Sequence, residues 1–265
     1  MPEGPEVKSI TDQLKIIEGY EIRDFTIYKE FEGKYKLSHT IGKYVNKVFC
    51  FGKKIAFQLN EGYIVTSLIM TGKWLLHNKD NKAIIEMNFL NDDINGDEIV
   101  LFYHDDRRMG DVSFYTDEEF NILYRSIGLD FLNDNITEDE FYDIVMKSKN
   151  MMICNFLIDQ KKISGIGNYL RCDIMYHAEI DPFTKMKDLS DDDIFRLYDS
   201  CECIIRESYQ QNGYSIGDGK NNYMLPLGQR GGYEPLIYKR KQDHRGNKVE
   251  KYKRKGAQTI YYVPL

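Results

Sequence analysis

Between Pro5 and Glu18, Val7, Ile10, Leu14 and Ile17 recur at helical spacing, which predicts a short opening helix. Pro5 suits its first turn and Gly19 its stop. From about Tyr20 to Tyr115 the period shortens to two. Ile55, Phe57 and Leu59 alternate with Lys54, Ala56 and Gln58, and Gly62–Met70, Ala83–Leu90 and Glu98–His104 are further strand-like runs bounded by Gly, Asn and Asp. One helix followed by many short strands predicts a β-sandwich.

The pattern then turns helical. Thr137 with Glu140 fits a capping box, and Ser190 with Asp193 a looser one, so the acidic clusters Thr137–Asp143 and Asp188–Asp193 are expected at helix N-termini. Between them, Asp159 to Arg171 reads as helix, two-glycine turn (Gly165, Gly167), helix. Residues 212–234, rich in Gly, Asn and Tyr, read as a long mobile loop. The runs Leu236–Lys241 and Thr259–Val263, on either side of a Gly246 turn, predict a C-terminal β-hairpin. The expected organisation is three segments, 1–130, 131–211 and 212–265.

Composition narrows the classes. The chain has 265 residues, 42% of them hydrophobic, which supports a packed core. No apolar run reaches the roughly 20 residues of a membrane span, and the first ten residues carry two glutamates and no apolar stretch. An intracellular protein is expected, with no membrane partner. Five cysteines, none in a C-x-x-C pair, argue against a disulfide framework or a four-cysteine zinc site and read as small buried residues.

The net charge of −6 argues at first against nucleic acid. Its distribution reverses the picture. Residues 201–265 hold 12 basic and 6 acidic groups, leaving 24 and 36 in residues 1–200, and Lys239–Lys255 alone holds nine basic and two acidic. A nucleic acid responds to the local face rather than to the total.

The chemistry-bearing residues lie at the start, Met1-Pro2-Glu3-Gly4-Pro5-Glu6-Val7. Removal of Met1 would give Pro2 a free secondary amine, a nucleophile near neutrality. With a sugar C1′ it forms an iminium ion, an electron sink that permits β-elimination, and Glu3 is placed to move the proton of ring opening.

This N-terminus resembles that of the Fpg/Nei family of DNA glycosylases, with Gly4 suiting the Nei branch. Gly165-Ile166-Gly167-Asn168-Tyr169-Leu170-Arg171 resembles the family's helix–two-turn–helix (H2TH) motif, and Leu236–Lys241 with Gly246-Asn247-Lys248-Val249 resembles the zincless finger of Nei-like enzymes from vertebrates and giant viruses. The resemblance covers nearly the whole chain. It implies an α+β fold: an N-terminal helix plus β-sandwich, then a helical H2TH domain with a C-terminal β-hairpin, the zincless finger.

It also implies roles. Pro2 would be the nucleophile, Glu3 the acid/base, and Glu6 either a supporting carboxylate or a first-turn helix charge. Lys53 would contact phosphate near the lesion and assist catalysis, with Lys54 an exposed strand lysine on the opposite face. Met70 and Met109 would wedge into the gap left by a flipped nucleotide, with Arg107 facing the orphaned base. Asn168 would donate to a phosphate at the two-glycine turn, or cap the helix, or both. The family's finger arginine falls on Gln258, a neutral residue, with Arg254 or Lys255 as substitutes if the tip is shifted.

The implied activity is a bifunctional DNA glycosylase and DNA-(apurinic or apyrimidinic site) lyase of base excision repair, acting on oxidised pyrimidines, ring-opened or hydantoin lesions and abasic sites by β,δ-elimination. It would be a monomer acting on damaged DNA without metal or organic cofactor, in a nucleus or at a viral or cytoplasmic site of DNA replication. The rival reading is a non-catalytic nucleic-acid-binding protein, which has no need of Pro2-Glu3. A sugar hydrolase using Glu3 and Glu6 is disfavoured because two carboxylates three apart on one helix cannot easily straddle a glycosidic bond.

Overall fold

The computed structural model describes residues 2–28, 31, 33–78, 81–91, 96–214, 224–253 and 255–264. Contacts divide the chain into two compact units. One holds Pro2, Glu6–Ser126 and the described part of 215–231; the other holds Glu3–Pro5, Ile127–Tyr214 and the described part of 232–265.

The opening helix, α1 (Gly4–Leu14), continues as a single 3-10 turn, Lys15–Ile17. Val7, Ile10, Leu14 and Ile17 are all fully buried, as their spacing predicts. The strands follow: β1 (Glu21–Ile27), β2 (Val45–Phe51), β3 (Lys54–Leu59), β4 (Tyr63–Ser67), β5 (Gly72–Leu75), β6 (Ile85–Asn91), β7 (Asp97–Asp105) and β8 (Asp111–Tyr115). Among the described residues they form two antiparallel four-stranded sheets, β1-β6-β7-β5 and β2-β3-β4-β8. Ile22, Val48, Ile55, Phe57, Met87, Phe89 and Leu101 fill one core with the apolar stripe of α1. Trp74 on β5 lies 5.8 Å from Phe57 on β3, and its indole N–H donates to Thr66 on β4 (3.3 Å), which joins the two sheets.

The outer face of the second sheet is covered by α2 (Asp117–Arg125), which starts with a capping box between Thr116 and Glu119. Phe120 stacks on Tyr63 at 3.7 Å and meets Phe49 and Phe51 edge-on. This cover explains why Ala56 is as buried as its inward-facing neighbours, despite the alternation. Part of the segment read as a long loop, 215–223, lies outside the described residues. The part that follows is docked on the first unit. Leu225 is fully buried in the sandwich core, and Leu227 N–H donates to the Gln13 side chain at 2.9 Å.

The second unit contains α3 (Glu138–Met146), α4 (Ile153–Phe156), α5 (Asn168–His177) and α6 (Asp191–Gln210). Both expected capping boxes form, Thr137 with Glu140 and Ser190 with Asp193. The unit ends in a short antiparallel hairpin, β9 (Glu250–Tyr252) with β10 (Ile260–Tyr262).

The expected hairpin partner, Leu236–Lys241, is not a strand. The buried carboxylate of Asp173, on α5, accepts from the backbone N–H groups of Leu236 (2.8 Å), Ile237 (3.1 Å) and Tyr238 (3.3 Å). Those donors are therefore turned toward a side chain and cannot make a strand ladder. The strand paired with β10 lies further on, after the Gly246 turn.

Candidate functional site

Glu3 anchors the segment that follows Pro2. Its side chain is 3% exposed and accepts from three backbone N–H groups at the start of α5: Gly167 (2.6 Å), Tyr169 (3.1 Å) and Leu170 (3.3 Å). A helix N-terminus carries unpaired donors and a partial positive charge, and an acceptor-only carboxylate suits it. Gly167 has to be glycine, because a Cβ there would lie 2.3 Å from the Glu3 carboxyl carbon. Gly4 N–H donates to Gly165 carbonyl oxygen (2.8 Å), and a Cβ on Gly4 would meet Gly165 Cα at 3.2 Å. The two-glycine turn thus receives the chain's own beginning. Glu3 occupies these three N–H groups, so they are not offered to a phosphate.

Pro2 is buried and directly precedes this anchor; Met1 lies outside the described residues. Glu6, in the first turn of α1, is 2% exposed.

Asn168 is the first residue of α5, whose N-cap is Gly167, so the side chain does not cap the helix. Its carbonyl oxygen accepts from the Arg171 guanidinium, which also donates to the Cys154 carbonyl at 3.0 Å. That orients the amide nitrogen, which donates to Thr259 carbonyl oxygen at 3.0 Å. The same side chain also hydrogen-bonds the Tyr238 hydroxyl, which pulls the Tyr238 pKa down against the larger upward push of burial. The structure thereby brings Asn168 beside the finger residue next to Gln258. Gln258 is exposed; Arg254 lies outside the described residues.

The finger is held by two carboxylates that the sequence reading did not single out. Besides its three backbone donors, Asp173 accepts from Tyr233 hydroxyl at 3.0 Å. Burial pushes its pKa up to about 6, against the pull of these hydrogen bonds. Asp243 accepts from the backbone of Arg245 (2.9 Å) and Asn247 (2.8 Å), from the Asn247 side chain (3.0 Å) and from Tyr176 hydroxyl (2.9 Å). Burial alone would raise its pKa, but these donors together outweigh that and hold it at about 2. Asp243-His244-Arg245-Gly246-Asn247 carries the signature of an Asx turn and was open to detection. A lone aspartate within a helix, such as Asp173, gives no such signal. Tyr261 N–H donates to Cys172 Sγ (3.4 Å), tying β10 to α5. Of the five cysteines, four are buried as expected and Cys203 is exposed. Among the described residues no group of three or more His, Cys, Asp or Glu could hold a metal ion, and no helix is long and apolar enough to cross a membrane.

In the first unit, Gly52 and Lys53 form the two-residue turn between β2 and β3, with Gly52 at φ +57°. Lys53 is half-buried at this turn. Lys54 is not the exposed strand lysine that was expected. It lies on the outer sheet face, where its amine donates to Ser67 Oγ at 2.6 Å and burial lowers its pKa against the pull of Asp111.

The two expected wedge loops meet. Asp105, 3% exposed at the end of β7, accepts from Thr71 hydroxyl, from Gly110 N–H (2.6 Å) and from Arg107 N–H (3.3 Å). Thr71 oxygen in turn accepts from Arg107 N–H (2.9 Å). One carboxylate therefore latches the loop carrying Met70 to the loop carrying Arg107 and Met109. Arg108 is held back, its guanidinium 4.8 Å from the Phe31 ring centroid and its carbonyl accepting from Lys34 amine at 2.8 Å. Met70 is half-buried, Arg107 exposed and Met109 56% exposed. Nothing in the sequence marked Asp105 beyond its closeness to Arg107.

Two family models match the chain in sequence order. Residues 1–112 match the formamidopyrimidine-DNA glycosylase N-terminal domain, and residues 127–219 match the formamidopyrimidine-DNA glycosylase H2TH domain. Among curated relatives, the chain is 24% identical to a formamidopyrimidine-DNA glycosylase of an Exiguobacterium species, over 98% of both chains. It is 26% identical to that of Protochlamydia amoebophila, over 89% of this chain and 87% of the relative. The fold is shared with the MutM (Fpg) protein of Thermus thermophilus, with TM-score 0.84, 22% identity and coverage of 99% and 97%. It is shared too with Lactococcus lactis Fpg in complex with an abasic-site DNA, with TM-score 0.81, 22% identity and coverage of 99% and 98%. The expected architecture of helix, β-sandwich, H2TH domain and terminal hairpin is present, and the chain belongs to the formamidopyrimidine-DNA glycosylase (Fpg/MutM) family of DNA glycosylases.

Proposed function

We propose that this glycosylase excises oxidised bases, pyrimidines and ring-opened or hydantoin lesions among them, and then cleaves the abasic site with the amine of Pro2. The observation that carries this reading is the anchoring of Glu3. A carboxylate held by three backbone N–H groups fixes the residue covalently joined to Pro2, so the nucleophile is presented from a rigid support.

With Met1 removed, the Pro2 nitrogen lone pair attacks the sugar C1′, and the damaged base leaves with the electrons of the glycosidic bond and takes up a proton. The Glu3 carboxylate takes the proton of the now cationic Pro2 nitrogen and passes it to O4′ as the C1′–O4′ bond breaks, which opens the sugar ring and gives the iminium ion. A base then takes the C2′ proton, made acidic by the iminium, the electrons of that C–H bond expel the 3′ phosphate, and a second elimination expels the 5′ phosphate. Glu6 supports this end of α1 as a buried carboxylate. Lys53 and Asn168 contact phosphates, and Met70, Met109 and Arg107 fill the vacated stack. The branch is read as Nei-like, on Gly4 and on a finger turn held by Asp243.

Gln258 favours a second reading. It is an exposed neutral residue where an arginine would grip phosphate, as suits a protein that binds damage without processing it.

Borohydride trapping on an abasic-site oligonucleotide separates the two readings. The wild type, with Met1 removed, is expected to form a covalent adduct that Pro2→Gly loses completely. A DNA-binding, correctly processed protein that forms no adduct would establish the second reading.

A further inference from the structure

The latched tip of the first unit contains a residue in the wrong conformation for its type. Ile69 has φ +51°. This left-handed region suits glycine and tolerates Asn or Asp, whereas a β-branched side chain there is a genuine outlier. Among the described non-glycine residues at positive φ, the others are asparagines or unbranched at Cβ: Asn81, Arg108, Glu179, Asn212 and Lys239.

Burial does not explain the strain. Ile69 is 39% exposed, while its neighbour Leu68 is 1% exposed within the sandwich core, of which Ile69 is not part. The turn itself closes through the backbone, Gly72 N–H donating to Leu68 carbonyl oxygen at 2.9 Å. A glycine would satisfy the same turn with less strain.

The position supplies what the fold does not. Ile69 directly precedes Met70, and Thr71 and Asp105 tie this loop to the one carrying Met109. The facing loop has a left-handed residue of its own, Arg108 at φ +57°, next to Met109. Backbone strain gathers at functional sites, and here it falls on both loops of one tip. The two strained residues differ in fate. Arg108 is turned back onto Phe31, whereas Ile69 is 39% exposed and Met109, on the facing loop, 56% exposed.

We propose that Ile69 is a third apolar wedge, which enters the base stack of damaged duplex DNA together with Met70 and Met109. The inference rests on the reading that these loops fill the gap at a flipped nucleotide. It adds that an isoleucine widens the wedge, so that the neighbouring base step is unstacked as well as the lesion site filled.

The test uses the full chain, a duplex with a tetrahydrofuran abasic analogue, the same duplex with 2-aminopurine beside the analogue, and an undamaged duplex. Ile69→Gly should raise Tm by about 2–4 °C through relief of strain. It should also weaken binding of the tetrahydrofuran duplex by about tenfold, abolish the 2-aminopurine signal and leave undamaged-duplex affinity unchanged. Ile69→Asn, which tolerates the same φ, should lose damage affinity in the same way. A residue of purely structural use cannot give a more stable protein that binds damage less well. A fall in Tm in Ile69→Gly would place the side chain's role in the fold and overturn the proposal. So would damage affinity and fluorescence within twofold of the wild type. A wild type that does not distinguish the tetrahydrofuran duplex from the undamaged one overturns both the wedge and the damage-binding reading. Selective binding without a borohydride adduct overturns only the Pro2 chemistry, and Ile69 is then judged on binding and fluorescence.

Discussion

The tip of the first unit and the finger of the second are built on the same device and end in opposite chemistry. In each, a buried carboxylate collects donors from a loop: Asp105 from Thr71, Arg107 and Gly110, and Asp173 from Leu236, Ile237 and Tyr238. A loop fixed this way keeps its backbone donors satisfied without a strand ladder. The tip carries Met70, Met109, Ile69 and Arg107; at the finger, Lys239–Lys255 is strongly basic. On the proposed function the first region would fill a gap in a base stack and the second would hold a phosphate backbone. The difference teaches that loop rigidity and loop chemistry are set separately, by an inward acid and by outward side chains.

The comparison is broken most severely at its shared device. Asp105→Ala leaves the buried Gly110 donor unpaired and releases Thr71 and Arg107, so the stability of the first unit should fall by about 2–4 kcal/mol, measured by denaturant unfolding. The preference for a tetrahydrofuran duplex over an undamaged one should collapse with it, because the two wedge loops separate. If affinity and preference survive in the folded variant, the latch does not position the tip.

The finger acids are told apart by pH. Asp243 is held at about 2, below its ordinary 3.8, so its contribution is present above pH 4 and is lost as pH falls toward 2. Asp173 is raised to about 6, so the folded state binds its proton first and stability rises as pH falls from 6 toward 4. Calorimetry at successive pH values should therefore show Asp243→Asn flattening the limb below pH 4 and Asp173→Asn flattening the limb from 4 to 6. Identical profiles for the two variants would remove the distinction.

The smallest effect sharpens the contrast of charge. Gln258→Arg adds one cation at the finger, and should strengthen DNA binding several-fold at low salt and steepen the salt slope by about one. An unchanged slope would place residue 258 away from the phosphates.

The architecture was legible because it follows from periodicity. The α1 stripe, the alternating strands and the capping boxes at Thr137 and Ser190 each rest on residues close in sequence, whose spacing fixes which side is buried. The basic finger and the Pro2-Glu3 start were legible as composition and motif. What escaped is long-range. No spacing connects Glu3 to Gly167 or Asp173 to Leu236, across 164 and 63 residues, so the occupant of the two-glycine turn and the fate of the expected Leu236–Lys241 strand were decided only by tertiary structure. Lys54 followed the same rule, its environment set by Ser67 and Asp111 rather than by strand alternation. The sequence by itself determined the opening helix, the strands of the sandwich, the helix starts at Thr137 and Ser190 and where the charge lies. Only the folded chain decided which acid faces which loop, because a buried carboxylate chooses its donors by proximity in space and the chain encodes that proximity nowhere locally.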